Sequence, residues 1–368
     1  MTTTDVNQEQ KLYRSAYRDW VAEEKIPVAE GFCVDLRAAE TADWPRFGVK
    51  GSIVNVAGRG DYLDMWLLEL GPGEVTIPQH HIFDIVCYVI SGHGNTTIEG
   101  VGGARSFEWG PKSAFAVPLN GTYQFFNASG SEPARVAMVT SFPIMINLFY
   151  DLDFLFGSPH QFSNRFGNIE DFNGVGHTLE HPDPRAKSIW TTNFVPDLGV
   201  FDKLSANELR GKASKTTTFD MANNSFNEHM SEIPVGSYKK AHRHPGGTHI
   251  FPVTGRGYSL LWYKGDTERT RVDWEHGYTY APPEDMYHQH FNVSPDPARY
   301  FAIKFGSFRR EFNERITRYR VASADASLGN NAYSKEQEIQ IEYEDEDPAI
   351  KQMYLDELAK VGIAYTGQ

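Results

Sequence analysis

The sequence predicts an all-β protein that contains two similar β-barrels with short flanking helices. Two stretches, at about residues 48–141 and 216–308, consist of short apolar runs separated by glycine, proline and asparagine. Such a texture of short strands and turns favours β-structure over long helices. The two stretches also share a series of landmarks, which indicates that one barrel unit has been duplicated.

The landmarks occur in the same order in both stretches, at an offset of about 165 residues. Each stretch has a glycine followed after five residues by a polar pair, then a Gly-x-Gly turn, a Trp and Gly, a proline and an asparagine. The first set is Gly73, Gln79, His81, Gly92, Gly94, Trp109, Gly110, Pro118 and Asn127. The second set is Gly236, His242, His244, Gly255, Gly257, Trp274, Gly277, Pro283 and Asn292.

The domain organisation follows from these boundaries. We expect an N-terminal extension over residues 1–45, a first barrel over 46–145, a connector over 146–215, a second barrel over 216–308 and a tail over 309–368. Helical spacing of apolar residues predicts a short helix over 9–25. A second helix is predicted in the tail, with Asp347 as its cap, Pro348 in its first turn and Gly362 at its end. The apolar run 142–150 is expected to be buried between the domains.

Charge and cysteine content limit the classes of function. The formal net charge of -13 argues against binding to nucleic acid or to anionic membranes, because both need a basic surface. Two cysteines, Cys33 and Cys87, form no disulfide framework and fit a reducing compartment. The first twenty residues lack the apolar core of a secretory signal. We therefore expect a cytoplasmic protein.

Two His-x-His pairs carry the main chemical signal. Residues i and i+2 of a strand point to the same face, so His242 and His244 would enter one barrel interior. His288 and His290 repeat the pattern further along the second stretch. Neutral imidazole is a good ligand for divalent transition metals. The four histidines therefore predict a metal site in the second barrel.

The spacing around these histidines resembles the two sequence motifs of the cupin family. The first motif is matched by Gly236, His242, His244 and His249, and the second by Pro283, His288 and Asn292. Two such units in one chain are similar to the bicupin branch, which includes dioxygenases that act on gentisate, salicylate and hydroxynaphthoate. The resemblance implies two double-stranded β-helix (jelly-roll) barrels and a bound metal, with Fe(II) first and Mn, Ni or Zn as alternatives.

The chain departs from the family pattern at its ligand positions. His249 stands where the family has a glutamate, so it is expected either as a fourth ligand or as an acid or base beside the ligands, although a one-residue slip would turn it to the opposite face. His290 is a further candidate ligand. In the first barrel the equivalent positions are Gln79, His81, Val86 and Tyr123, so this barrel is expected to be structural or a cover for the other site. His80 and Asp84 offer an alternative site there.

Three functions remain open from the sequence. The first is a non-haem Fe(II) dioxygenase that cleaves an aromatic or enol-type anionic substrate with O₂. The second is a redox-neutral metal-dependent isomerase, hydrolase or lyase, and the third is a binding or storage bicupin without enzymatic activity. Arg256 and Tyr258, after the Gly-x-Gly turn, are candidate catalytic or substrate-binding residues, against the alternative that Tyr258 is core and Arg256 solvated. We expect a small-molecule substrate and a homo-oligomer, dimer or tetramer.

Overall fold

The computed structural model describes residues 14–165, 169–179, 189–307 and 339–367. Its helices are α1 (Ala16–Glu24), α2 (Phe142–Phe149), α3 (Leu152–Gly157) and α4 (Pro348–Val361). Short 3-10 turns lie at Ala57–Arg59, Ser163–Arg165, Ile169–Phe172, Glu208–Arg210 and Tyr343–Asp345. The part of the predicted tail that spans residues 309–338 lies outside the described residues, as do residues 9–13 of the predicted first helix.

The first half of the chain contains strands β1 (Val28–Gly31), β2 (Cys33–Asp35), β3 (Ala42–Trp44), β4 (Val49–Val56), β5 (Asp64–Leu70), β6 (Ile85–Ser91), β7 (Gly94–Gly100), β8 (Gly103–Trp109), β9 (Ala114–Val117), β10 (Thr122–Asn127) and β11 (Ala134–Thr140). The second half contains β12 (His177–Leu179), β13 (Ile189–Thr191), β14 (Phe194–Val195), β15 (Ser205–Ala206), β16 (Lys215–Asp220), β17 (Phe226–Ile233), β18 (Thr248–Thr254), β19 (Arg256–Trp262), β20 (Thr270–Glu275), β21 (Tyr278–Tyr280), β22 (Tyr287–Asn292) and β23 (Ala298–Phe305).

Each barrel is formed by one large and one small sheet. In the first barrel the strand order of the large sheet is β1-β4-β5-β11-β6-β9-β14, with β3 beside β4, and that of the small sheet is β10-β7-β8. In the second barrel the large sheet runs β12-β13-β16-β17-β23-β18-β21-β2, with β15 beside β16, and the small sheet runs β20-β19-β22. Strands β5, β11, β6, β9 thus correspond to β17, β23, β18, β21. The predicted fold class, an all-β protein with two barrels and short flanking helices, is confirmed.

A buried asparagine closes the same turn in both barrels. The side-chain amide of Asn127 donates hydrogen bonds to the carbonyl oxygens of Leu70, Gly71 and Glu132, at 3.0, 3.0 and 2.8 Å. In the second barrel the corresponding amide, that of Asn292, donates to the carbonyl oxygens of Ile233, Pro234 and Asp296, at 3.1, 3.1 and 3.0 Å. The shared asparagine of the sequence repeat is therefore a hydrogen-bonded clamp between strands.

The two barrels exchange edge strands. β2, which precedes the first barrel in the chain, pairs with β21 of the second barrel, and β14, in the connector, pairs with β9 of the first. A partly buried arginine fixes each crossing segment. Arg135 of the first barrel donates to the carbonyl oxygens of Leu36 and Ala39, and Arg299 of the second donates to those of Gly199 and Phe201.

The large sheets of the two barrels pack face to face through one shared apolar core. Tyr88 of β6 lies against Phe251 of β18, with ring centroids 4.9 Å apart, and Phe301 of β23 is also close. Side chains alternate between the two faces of a strand. Every second residue of β18 and β23 therefore enters this core between the barrels, and the others face the interior of the second barrel.

The helices close the outer faces. α2 packs its Phe142 against Trp20 of α1, and Ile144 packs on the core between the barrels. Leu148 and Phe149 at its other end are exposed, so the expectation that residues 142–150 are buried between the domains is wrong for the end of the run. The predicted tail helix is confirmed: the Asp347 side chain accepts from the Ala349 amide, and Gly362 ends α4 at φ 68°. None of the helices in the described ranges has the length and apolar character needed to cross a membrane.

The asparagine clamp leads to a stability prediction. Asn127→Asp keeps the shape of the side chain but places an acceptor against three carbonyl oxygens. We expect a loss of about 1–3 kcal/mol or more in the free energy of unfolding, measured with urea. Asn95→Asp, at a half-buried asparagine whose recorded partner is the exposed Ser106 hydroxyl, is the matched control. Equal losses in the two variants would contradict the assignment of the clamp.

Candidate metal centre

Two of the predicted ligands face each other across a strand pairing. His242 and His288 form an antiparallel bridge in which each amide donates to the other's carbonyl, at 3.0 and 2.9 Å. Their ring centroids are 4.3 Å apart, and the ring of His244 lies 4.8 Å from that of His288. One ring nitrogen from each of the three buried histidines lies within 4.8 Å of the others. This spacing fits three ligands around one ion.

The tautomers of two of the predicted ligands are fixed by backbone carbonyls. Nδ1 of His242 lies 3.1 Å from the Lys240 carbonyl oxygen, and Nδ1 of His288 lies 3.0 Å from that of Met286. A carbonyl oxygen only accepts hydrogen bonds, so Nδ1 carries the proton in both rings. Nε2 of each ring is then left with its lone pair, as metal binding requires.

Burial keeps the three rings neutral. It lowers the pKa of His288 to about 3 and holds the pKa values of His242 and His244 well below the ordinary value. The positive charges of Arg210 and Lys304 act in the same direction. At neutral pH the centre therefore offers three uncharged nitrogen donors.

Two cationic side chains accompany the donors. Nζ of Lys304, on β23, donates to Nε2 of His244 at 3.1 Å, so an ion bound through this nitrogen would replace that hydrogen bond. Arg210 comes from the connector, and its guanidinium donates to Oε1 of Gln340 at 2.6 Å. Gln340 in turn pairs with His242 through an isolated backbone bridge, which places this segment of the tail beside the ligands. Lys304 and Arg210 thus place two positive charges near the donors, while the carboxylate of Glu342, in the same segment as Gln340, accepts from Nε2 of Gln340 at 2.7 Å and pairs with Lys240.

His249 points away from the centre. On β18 it pairs with Ile303, whereas its neighbour Thr248 pairs with Lys304. Because side chains alternate along a strand, Thr248 shares the face of Lys304 and His249 turns toward the core between the barrels. Its counterpart in the first barrel, Val86, belongs to that core. The expectation that His249 is a fourth ligand, or an acid or base beside the ligands, is not supported, because the strand register puts it on the opposite face.

His290 shares the barrel interior but not the ligand group. Its Nδ1 lies 2.8 Å from the Ser259 hydroxyl and 3.2 Å from that of Tyr280, and its ring centroid is 5.5 Å from that of His288. It is not part of the group of three histidines. The two hydroxyls hold it as a buried hydrogen-bonded residue behind the centre.

The two candidate catalytic residues after the Gly-x-Gly turn lie elsewhere. Arg256 is exposed at the start of β19, where it lines a groove of about 360 Å³ together with Glu275 and Lys360. Tyr258 is buried, but its ring stacks on Phe291 at 4.6 Å in the core that faces α4. Ser259 pairs with His290 and faces inward, so Tyr258 faces outward. Neither residue reaches the centre.

The first barrel keeps the geometry of the site without its ligands. Gln79 and Tyr123 form the same bridge as His242 and His288. Nε2 of His81 hydrogen-bonds the Tyr123 hydroxyl at 3.1 Å, and its Nδ1 contacts the Phe83 carbonyl. Asp84 is paired with Arg165, and His80 contacts Asn120. Among the described residues the three histidines of the second barrel form the one group found with metal-ligand spacing.

Sequence reasoning missed Thr248, Lys304 and Arg210. A signal for Thr248 was present, because His249 lies one residue nearer to Gly255 than the fourth position of the motif that the sequence resembles, and Thr248 lies at the usual distance. Lys304 alternates with Phe305 and Ile303 in an ordinary strand pattern, and Arg210 lies in the connector. Neither lysine nor arginine occupies a recognisable motif, so only the fold brings these two charges to the centre.

No protein-family model matches the chain. Among solved structures it is similar to Bacillus subtilis oxalate decarboxylase, studied for its Mn(II) centres, with 15% identity over 80% of this chain and 84% of that one and a TM-score of 0.46. It is also similar to the formate complex of Lactobacillus farciminis oxalate decarboxylase, with 14% identity, coverage of 75% and 86%, and a TM-score of 0.47. These matches do not confirm the expected gentisate dioxygenase branch.

The ligand geometry predicts which histidines hold the metal. His242→Ala or His288→Ala should abolish binding of about one divalent ion per chain, because two nitrogen donors are too few for a stable site. His81→Ala in the first barrel should keep the ion. Metal content after gel filtration, measured by elemental analysis, checks this. Loss of metal from His81→Ala equal to that from His288→Ala would contradict it.

The placement of His249 predicts a pH effect. Both its ring nitrogens are buried without a hydrogen-bond partner among the described residues, and burial lowers its pKa to about 3. The unfolded chain therefore takes up this proton first as the pH falls below about 6.5, which destabilises the fold by up to about 1.4 kcal/mol per pH unit. His249→Leu should therefore lose less free energy of unfolding at low pH than the unmodified chain, and it should keep the metal.

Urea unfolding of His249→Leu at pH 5 and pH 7.5, beside the exposed-site control His93→Gln, measures this effect. If the free energy of unfolding fell between pH 7.5 and pH 5 as much in His249→Leu as in the unmodified chain, the buried placement of His249 would be contradicted.

Proposed function

We propose that this protein is a metal-dependent enzyme that binds a small anionic substrate to an ion held by His242, His244 and His288. The main observation behind this proposal is a donor set of three neutral imidazoles with a lysine ammonium 3.1 Å from one of them. Neutral donors leave the ion its full positive charge, and Lys304 adds another. Such a site attracts anions that chelate the metal.

The donors fit a divalent transition metal. Imidazole nitrogen suits Fe, Ni and Zn, and the two carbonyl-bound Nδ1 atoms orient the rings in the way that metal-ligating histidines are usually oriented. We propose Fe(II) first, with Mn, Ni and Zn as alternatives. A bound ion would polarise the oxygen atoms of the substrate, and a redox-active one would also supply electrons to O₂.

The chain's own residues prepare the site for an anion. His242, His244 and His288 are buried, so a bound charge would interact with them and with Lys304 through little water. Arg210 is fixed by Gln340 on the side of His242, whereas Lys304 lies on the side of His244. A substrate carboxylate or enolate between these cations would be oriented as well as attracted.

Lys304 favours a redox-neutral reaction of the lyase type. Its Nζ carries protons beside the ligands, where loss of a carboxyl group or migration of a double bond would require a proton. The second candidate is the Fe(II) dioxygenase expected from the sequence, which the neutral three-nitrogen donor set favours. Both candidates use the same anion-binding geometry, and they differ in their need for O₂.

A substrate panel with and without oxygen separates the two reactions. We expect the Fe(II)- or Mn(II)-loaded protein to convert a member of a panel of small carboxylates, hydroxybenzoates and diketones at the same rate under argon and in air. Lys304→Met should lower kcat by about 10²–10⁴-fold without loss of metal. Lys50→Met, at an exposed lysine of the first barrel, is the control. Turnover that stops under argon, and that in air consumes one O₂ for each product formed, would instead identify the dioxygenase.

A further inference from the structure

The loop formed by residues 57–63 of the first barrel, here called the docking loop, reaches the second barrel. A Cβ atom on Gly58 would lie 2.2 Å from the carbonyl oxygen of Pro282 and 2.5 Å from the carbonyl carbon of Ala281. Gly58 has no positive φ, so its lack of a side chain serves this close approach and no special backbone conformation. Pro282 belongs to the segment that leads to His288.

The same loop touches the segment that follows His244. A Cβ atom on Gly247 would lie 1.7 Å from the carbonyl oxygen of Arg59, so the two backbones are in direct contact. The Gly247 carbonyl accepts a hydrogen bond from the Phe305 amide at 3.1 Å. The Phe305 ring stacks on Tyr62 of the docking loop, with centroids 5.2 Å apart and an interplanar angle of 11°.

The two contacted segments converge on the ligands. The Asp285 amide donates to the His244 carbonyl oxygen at 3.3 Å, and the Met286 carbonyl fixes Nδ1 of His288. Phe305 follows Lys304, whose Nζ contacts His244. A displacement of the docking loop would therefore be transmitted to both segments that orient His244 and His288.

We propose that the docking loop of the first barrel is a positioning element for the metal centre of the second. Gly58 packs on the segment at 281–282 and Arg59 on Gly247, while Tyr62 stacks on Phe305, whose amide binds the Gly247 carbonyl. Together these contacts keep His244 and His288 at bonding separation. This gives a role to a barrel that has Gln79, His81 and Tyr123 in place of ligands. The inference rests on the proposed metal site, but concerns residues that contact no substrate and no ion.

Metal affinity measured with Co(II) alone tests the proposal. Gly58→Ala in the full chain should weaken Co(II) binding by about 10–100-fold, the range typical of groups that orient metal ligands. It should also change the Co(II) absorption spectrum, which reports ligand geometry. Gly94→Ala is the matched control: its Cβ would lie 2.2 Å from the Phe126 carbonyl oxygen, but within the small sheet of the first barrel. It should lower Tm and keep the affinity and spectrum.

A pair of tyrosine variants covers the case in which Gly58→Ala does not fold. Tyr62→Ala removes the stacked ring and should weaken Co(II) binding, whereas Tyr62→Phe keeps the ring and should restore it. Unchanged affinity and spectrum in folded Gly58→Ala or Tyr62→Ala would overturn the positioning role while leaving the metal site intact. An unmodified chain that binds no Co(II) would overturn the proposed function and this inference together.

Discussion

The paired backbone hydrogen bonds between His242 and His288 determine the geometry of the centre. They bring two ligands from distant parts of the chain into direct opposition, with ring centroids 4.3 Å apart. The ring of His244, two residues further on, lies 4.8 Å from that of His288. The candidate metal site therefore depends on this bridge, because the backbone pairing of His242 with His288 sets the spacing of two of the three donors.

Alternation along the strands then divides the remaining residues between two environments. On β18, Thr248 shares the barrel interior with Lys304, whereas His249 and Phe251 enter the core between the barrels. The Thr248 hydroxyl donates to the Ile303 carbonyl oxygen at 3.2 Å, so the interior face of β18 offers no charged side chain at this position.

The sequence was sufficient for the features that depend on local pattern. The duplicated landmarks predicted both barrels, and the spacing of His242, His244 and His288 predicted which side chains would meet. The prediction that His249 acts at the metal centre was wrong, because a one-residue error in register turns a strand residue to the opposite face. The prediction that Tyr258 lies at the site was wrong for the same reason. Lys304 and Arg210 could not be predicted, because their approach to the centre depends on contacts between segments far apart in the chain.

The first barrel shows that the framework of the site does not require an ion. Gln79 and Tyr123 exchange backbone hydrogen bonds of 3.0 and 2.8 Å, close to the 3.0 and 2.9 Å of the histidine pair, without any group of metal ligands beside them. The asparagine clamp and the arginine that fixes the crossing segment are also present in both barrels. Because hydrogen bonds and apolar cores suffice to shape this framework, the three histidines form a preorganised site. An ion would then add stability by binding to a folded chain, unlike the small zinc domains that fold only when the metal binds.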